Sequence, residues 1–367
     1  MRIVYVLTSL GIGGAERQVL AVAERMAARG HAVALLVLRG RVAEEWPTEV
    51  EASRLGMRRN PFSVLAGLVR GQRFLRGFHA DIVHSHSFHA NLVARLLRLM
   101  GAPAPVLSTV HNVYEGGWHR MLAYRLTDAL SARTAAVSAA AAERFVRLKA
   151  VPERKCIVVP NGIDTAEFAP HGARRASTRR AMNAGEEFIW ITAGRLAPAK
   201  DFPNLLRAFK VVRGARPEAQ LWIAGEGKPG GAKAFVLVPG SFENVRWLGL
   251  RRDIPALLNA ADGFVLASAW EGMPLVVGEA MAMQKPLVAT DVGGVRELVG
   301  EACVLVPAKN PQALGQAMLA VMAQTEEDRE RVGCAARQRI ETLFSIEARV
   351  DQWVKLYGEL MREAGKR

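Results

Sequence analysis

Glu271 and Glu279 stand seven residues apart in SAWEGMPLVVGEAMAMQKPLVATDVGG. The spacing places Glu271 in a loop, with Gly272, Met273, Pro274 and Leu275 forming the first turn of the following helix. Glu279 then lies about two turns beyond, on a neighbouring part of the same face. First-turn backbone N–H groups can face an anion, and carboxylates so placed can accept hydrogen bonds from vicinal hydroxyls of a sugar and a ribose. Taken singly, Glu271 reads better as a first-turn acid interacting with the helix dipole and Glu279 as a helix-surface acid. That reading leaves the flanking block of Gly, Pro and Met unexplained.

A second cluster is TAGRLAPAKDF, where Arg195 and Lys200 lie in a turn between a strand and a helix. Both heads can converge on a diphosphate, Arg as a fork and Lys as a point charge, or simply remain solvated. A third is the turn TSLGIGGAE, where glycines let backbone approach an anion at a helix start. A dinucleotide site is disfavoured there, because Gly11, Gly13 and Gly14 are followed by Glu16 and no acid ends the second strand, HAVALLVLRG. His84, His86 and His89 form HSHSFH, with His84 and His86 on one strand face. They have no carboxylate or cysteine at ligand spacing, so core or cleft-lining histidines are expected rather than a metal site.

The elements that must position these residues are those of two α/β domains. Short Val- and Ile-rich runs alternate with helical patterns in the front half, the signature of βαβ units and a parallel sheet. Strands are expected near 2–8, 32–38, 81–86, 105–110, 135–138 and 156–160. Val19, Val22, Ala23 and Met26 recur at helical spacing between the first two, and Gly30 closes that helix. DTAEFAPHGARRASTRRAMNAGEE is polar and basic and reads as interdomain linker. The alternation restarts at FIWITAGRL, with Asp201 and Pro203 suited to cap the helix that follows. KPGGAKAFVLVPG is too rich in Gly and Pro to assign. Residues 311–366 read as helical, ending in a stripe of Val350, Trp353, Val354, Tyr357 and Leu360. The expected domains are 1–170 and 171–345, with 346–367 a helix packing back on the first.

The 367 residues suit two cores. Half are hydrophobic and 23% are charged, as in a soluble globular protein. No apolar run reaches the roughly 18 residues of a membrane span, and the first ten residues fit a buried strand better than a signal sequence. Cys156, Cys303 and Cys334 read as reduced core residues of a cytosolic protein. The net charge of +14 is concentrated in residues 1–170, which hold 22 Lys and Arg against 13 Asp and Glu. Such an excess suits phosphate-bearing partners, though not nucleic acid, for which no recognition motif is present. Residues 58–78 combine Arg58, Arg59, Arg70, Arg73 and Arg76 with Val64, Leu65, Leu68, Val69, Phe74 and Leu75. This is either a basic amphipathic helix on anionic lipid or a domain helix with solvated arginines.

The Glu271–Glu279 block resembles the E-x7-E motif of retaining glycosyltransferases of family 4. GIGGAER, DIVHSHSFHANL, STVHN, VVPNGID, GRLAPAKDF, WIAGEG, VRWLGLRRDIPALLNAAD and DVGGVRELV follow the same family pattern in order, over nearly the whole chain. The resemblance implies the GT-B fold, two Rossmann-like parallel-sheet domains facing a central cleft. It implies that Glu271 contacts donor-sugar hydroxyls, Glu279 the nucleotide ribose, and Arg195 and Lys200 the diphosphate. Gly272, Met273, Pro274 and Leu275 would give backbone donors to phosphate and sugar, Gly13 and Gly14 the loop facing donor phosphates and acceptor, and His111 a place by the reacting sugar. With no D-x-D triplet and no other cofactor motif, no metal or cofactor is expected. The expected activity is transfer from a nucleotide-sugar, UDP favoured over GDP, to a saccharide or lipid-linked acceptor in cell-envelope synthesis. The expected place is the cytoplasm, peripheral on the inner face of the cell membrane. A sugar-nucleotide epimerase of the same fold and a non-catalytic sugar-nucleotide-binding protein are the alternatives.

Overall fold

The computed structural model describes residues 1–11, 13–40, 50–226 and 243–365. The chain forms two compact units, Met1–Gly162 with Ile346–Arg367, and Ile163–Ser345. Residues 163–170, expected with the first domain, thus cluster with the second. The unassigned stretch KPGGAKAFVLVPG lies outside the described residues.

The first unit runs β1 (Arg2–Leu7), α1 (Gly14–Ala28), β2 (Ala32–Val37), β3 (Glu51–Arg54), α2 (Pro61–Phe78), β4 (Ile82–His86), α3 (Phe88–Leu99), β5 (Val106–Val110), α4 (Trp118–Leu126), β6 (Arg133–Ala136), α5 (Ala139–Arg147) and β7 (Cys156–Val158). The strands pair in parallel in the order β3-β2-β1-β4-β5-β6-β7. Helices cover both faces, so residues of both parities are buried in the central strands β1, β2, β4 and β5, and β1 and β2 read as nearly unbroken apolar runs. Ile3, Tyr5 and Leu7 meet Val19, Val22, Ala23 and Met26 of α1. Val4 and Val6 meet Leu68 and Leu75 of α2 and Ala90, Ala94 and Leu97 of α3. The sequence reading missed β3, an edge strand EASR with no buried residue to mark it. Gly30 has φ +80°, a backbone that an L side chain resists, just beyond α1.

The second unit runs α6 (Gly172–Ala181), β8 (Ile189–Ala193), α7 (Phe202–Ala215), β9 (Gln220–Ala224), β10 (Val245–Gly249), α8 (Ile254–Ala260), β11 (Gly263–Leu266), α9 (Leu275–Ala282), β12 (Leu287–Thr290), α10 (Val295–Val299), β13 (Val304–Val306), α11 (Pro311–Met322) and α12 (Glu326–Leu343). Its parallel sheet has the order β10-β9-β8-β11-β12-β13. The linker reading fails over α6. The arginines that made the segment look solvated are consumed: Arg179 donates to Asp262 at 3.1 Å, to Ala260 O at 3.0 Å and to Glu187 O at 2.8 Å, and Arg175 also pairs with Asp262.

The last helix, α13 (Ile346–Gly365), returns to the first unit, where Val350, Trp353, Tyr357 and Leu360 join the α1 side of the core. At the point of return a Cβ on Gly162 would sit 2.7 Å from Ile346 Cα, so only glycine lets the two backbones pass. None of the three cysteines is paired, and Cys334 is exposed on α12 rather than in a core. No helix among the described residues is long and apolar enough to cross a membrane.

Candidate functional site

In an open parallel sheet, ligands bind at the carboxyl edge where strand order reverses. In the second unit that point lies between β8 and β11. The loop after β8 carries Arg195 and Lys200, and the loop after β11 carries Glu271. The two loops are tied by Ala269 N donating to Ala199 O at 2.8 Å. Lys200 Nζ lies 2.6 Å from Glu271 Oε1, and Ser268 Oγ donates to the same oxygen at 2.6 Å. Ser268 is fixed in turn, since its carbonyl accepts from Thr290 Oγ1 at 2.7 Å. Lys200 therefore faces a carboxylate, while Arg195 is exposed and has no ion-pair partner among the described residues.

Asp201, with φ 41°, caps α7 by accepting from Asn204 N. The floor of the site needs glycine: a Cβ on Gly225 would overlap the carbonyl oxygen of Gly194. Gly225 N also donates to Gly249 O at 2.7 Å, drawing in the loop after β10, where Arg251 and Asp253 pair at 2.7 Å.

The helix after Glu271 starts later than its sequence suggested. Pro274 is the N-cap of α9 and Leu275 its first residue, so Gly272, Met273 and Pro274 belong to the loop. Proline's fixed φ suits that entry. Gly272 O accepts from Gly294 N at 2.9 Å, which pins the loop against the one after β12. Glu279 lies one turn into α9 and is 3% exposed; Glu271 is 7% exposed. The N–H groups of the first turn point toward this edge and give it a partial positive charge.

At the carboxyl edge of the first sheet the chemistry is different. The turn after β1 leads into α1 with Gly13 as N-cap and Gly14 as first residue. A Cβ on Gly13 would overlap Glu16 Oε2, so the acid of the first turn curls over the glycine. His84 donates or accepts at both nitrogens, with Tyr357 Oη at 2.6 Å and Thr109 Oγ1 at 2.7 Å. His86 Nδ1 lies 3.0 Å from His111 Nε2. His89 stands apart on α3, exposed.

Desolvation holds the histidines neutral: His84 and His86 fall well below the usual value, and His111 falls to about 4. Glu115 receives His111 N at 3.1 Å and Tyr124 Oη at 2.7 Å, and desolvation pushes its carboxyl up to about 7. A cavity of about 20 Å³, room for one water, is bordered by His84, His86, His111, Asn161 and Trp353.

Sequence reasoning did not single out Ser268, Thr290 or Glu115. Ser268 stands three residues before Glu271 in the same motif, and Glu115 four residues after His111, which are the only local signals. Their roles depend on tertiary pairing.

Two doubly wound parallel sheets of this order define the GT-B class of glycosyltransferases. Solved structures match the chain at that level. A glycosyltransferase from Rickettsia africae superposes with a TM-score of 0.85 at 19% identity, covering 98% of each chain. The Anabaena protein HepE, solved with UDP, also gives 0.85 at 19% identity, over 98% of this chain and 100% of that one. The Glycosyltransferase Family 4 model matches residues 12–167 and the Glycosyl transferases group 1 model residues 187–324; the chain belongs to this family of glycosyltransferases.

Among its relatives, the UDP-Gal:α-D-GlcNAc-diphosphoundecaprenol α-1,3-galactosyltransferase of Escherichia coli is 28% identical over 63% of this chain and 62% of its own length. The D-inositol 3-phosphate glycosyltransferase of Geodermatophilus obscurus is 28% identical over 94% of this chain and 84% of its own.

Proposed function

We propose that the chain moves a sugar from a nucleotide-sugar, UDP-linked in preference to GDP-linked, to an acceptor hydroxyl with retention of configuration and without a metal. The observation that carries this reading is the Lys200–Glu271–Ser268 cluster at the switch point, beside an exposed Arg195 and the start of α9. On donor binding, Glu271 accepts hydrogen bonds from sugar hydroxyls and Glu279 from the ribose. Lys200 and Arg195 turn to the diphosphate, with backbone donors from Gly272 to Leu275. Roles for Gly13, Gly14 and His111 rest on the family resemblance alone.

In the reaction the anomeric carbon–oxygen bond to the diphosphate breaks, and the acceptor oxygen bonds to the same face. The acceptor proton passes to the departing phosphate oxygen, and the nucleoside diphosphate leaves. Fixed positive groups lower the barrier most where the leaving charge is greatest. The UDP preference is supported by the donor in the E. coli relative's name and by the UDP held in HepE. That relative's diphosphoundecaprenol acceptor supports a lipid-linked acceptor, an envelope role and a cytoplasmic protein peripheral to the membrane.

The test is a melting-temperature titration with UDP, GDP and NAD in EDTA, since a ligand bound only by the folded state raises the midpoint. UDP alone should raise it. A shift with NAD alone, or with none, removes the reading; an epimer rather than a glycoside as product would favour the epimerase.

A further inference from the structure

Helix α4 is apolar on two sides. Met121 and Tyr124 turn inward onto Ala141 and Phe145 of α5 and Val110 of β5. Trp118, Leu122 and Leu126, at positions i, i+4 and i+8, turn outward and are 77%, 42% and 74% exposed. A surface helix normally keeps one apolar stripe for the core and a polar face for water, so the outer stripe lacks a packing explanation within this unit.

Tyr114 and Leu148, also exposed, extend the patch, and with Arg125 and Arg144 they border a groove of about 320 Å³ beside α4. The charge around it is positive. Arg125 is exposed between Leu122 and Leu126, with no ion-pair partner among the described residues. Arg144 stands 5.8 Å over the Tyr114 ring. The nearby acids do not offset them: Glu115 is turned inward to Tyr124, Asp128 is bound by Lys155 at 3.0 Å, and Glu143 is paired with Arg147 at 3.9 Å.

An exposed Trp with leucines behind it and arginines at its rim fits the headgroup boundary of a bilayer, where aromatic rings sit at the interface and cations meet anionic lipid. In a parallel sheet the helix after a strand begins at the carboxyl edge, so Trp118 lies at the edge that carries His86 and His111. Phe62 and Leu65, in the first turns of α2 and 84% and 60% exposed, belong to the same edge and the same helical layer as α4.

We propose that the outer face of α4 and its groove dock the first unit on an anionic lipid leaflet. This rests on the reading of a lipid-linked acceptor, and names the surface that reaches it. The experiment is flotation of the full chain with phosphatidylcholine vesicles with and without phosphatidylglycerol, at low and high salt. The wild type should float only with phosphatidylglycerol, and less at high salt. The triple variant Trp118→Ser, Leu122→Ser, Leu126→Ser should bind about tenfold more weakly or worse, and Arg125→Glu with Arg144→Glu should lose the preference for anionic vesicles.

The UDP-induced rise in melting temperature is read on the same samples, so loss of fold or failure of the donor site is scored apart from loss of docking. The proposal is overturned if the wild type ignores anionic vesicles or if the triple variant floats like the wild type. It is overturned equally if light scattering shows that the triple variant breaks a dimer, which would make a second copy the occupant.

Discussion

At the carboxyl edge of the second sheet, Lys200 and Glu271 stand 2.6 Å apart as partners of opposite charge. At the same edge of the first sheet, three histidines lie close together and are held neutral. The first arrangement keeps charge ready for an anionic or hydroxylated ligand, because each group of the pair can be exchanged for a ligand group of the same kind. The second withholds charge, because every proton added to the cluster meets desolvation and a neighbouring imidazole. Polarity is stored by pairing in one unit and by tautomer in the other.

The comparison breaks most visibly through the charged pair. Glu271→Gln keeps the shape and removes the charge; initial rates of nucleoside-diphosphate release should show kcat/KM down by about 10²–10³-fold, the scale of losing one preorganised polar contact to the transition state. A variant as active as the wild type would remove Glu271 from the chemistry.

Acid should act on the first unit. His111 sits below its unfolded value, so its contribution is present above about 6.5 and is lost as pH falls toward about 4. At 1.36 kcal/mol per unit this is on the order of 3 kcal/mol, and His84 and His86 act in the same direction. Glu115 opposes them: its raised value makes it stabilising at low pH, and that contribution is lost as pH rises through about 7. Melting temperature should therefore fall from pH 7 to pH 4, and fall further in Glu115→Gln. A flat profile would show that the histidines are not held neutral.

Tyr357→Phe strips a partner from His84 Nδ1 and from Tyr5 Oη. It should cost about 1–3 kcal/mol in denaturant unfolding while leaving the UDP-induced shift unchanged. The mildest change is Ser268→Ala, which removes one of two groups on Glu271 Oε1. It should cost about 1 kcal/mol of stability, measured the same way.

The sequence disclosed the two α/β units and the motif blocks because both depend on local order: apolar strands at regular intervals, and acids and cations in turns beside them. It did not disclose what joins the blocks. Lys200 and Arg195 read as a matched pair of diphosphate ligands, yet Lys200 rests on a glutamate 71 residues away. HSHSFH was visible as a cluster, but its neutrality is set by burial and its orientation by Tyr357, 273 residues beyond His84. Arg175 and Arg179 looked solvated because their chief acceptors, Asp262 and the carbonyls at the end of α8, carry no sequence mark. Edge strand β3 has no fully buried residue, so no periodicity recorded it.

The return of α13 sets an order of events for a chain emerging from the ribosome. Residues 163–345 form the second unit from one continuous stretch and can complete it as soon as they are free. The first unit waits, although its described strands are all made earlier, because Trp353, Tyr357 and Leu360 of its core are synthesised only after the whole of the second unit. Until then Tyr5 and His84 lack the hydroxyl that bridges them, and the side of the sheet that α13 covers stays open. The half of the molecule that begins first is thus the half that finishes last, and a nascent chain stalled short of residue 346 would carry a finished second unit beside an unsealed first one.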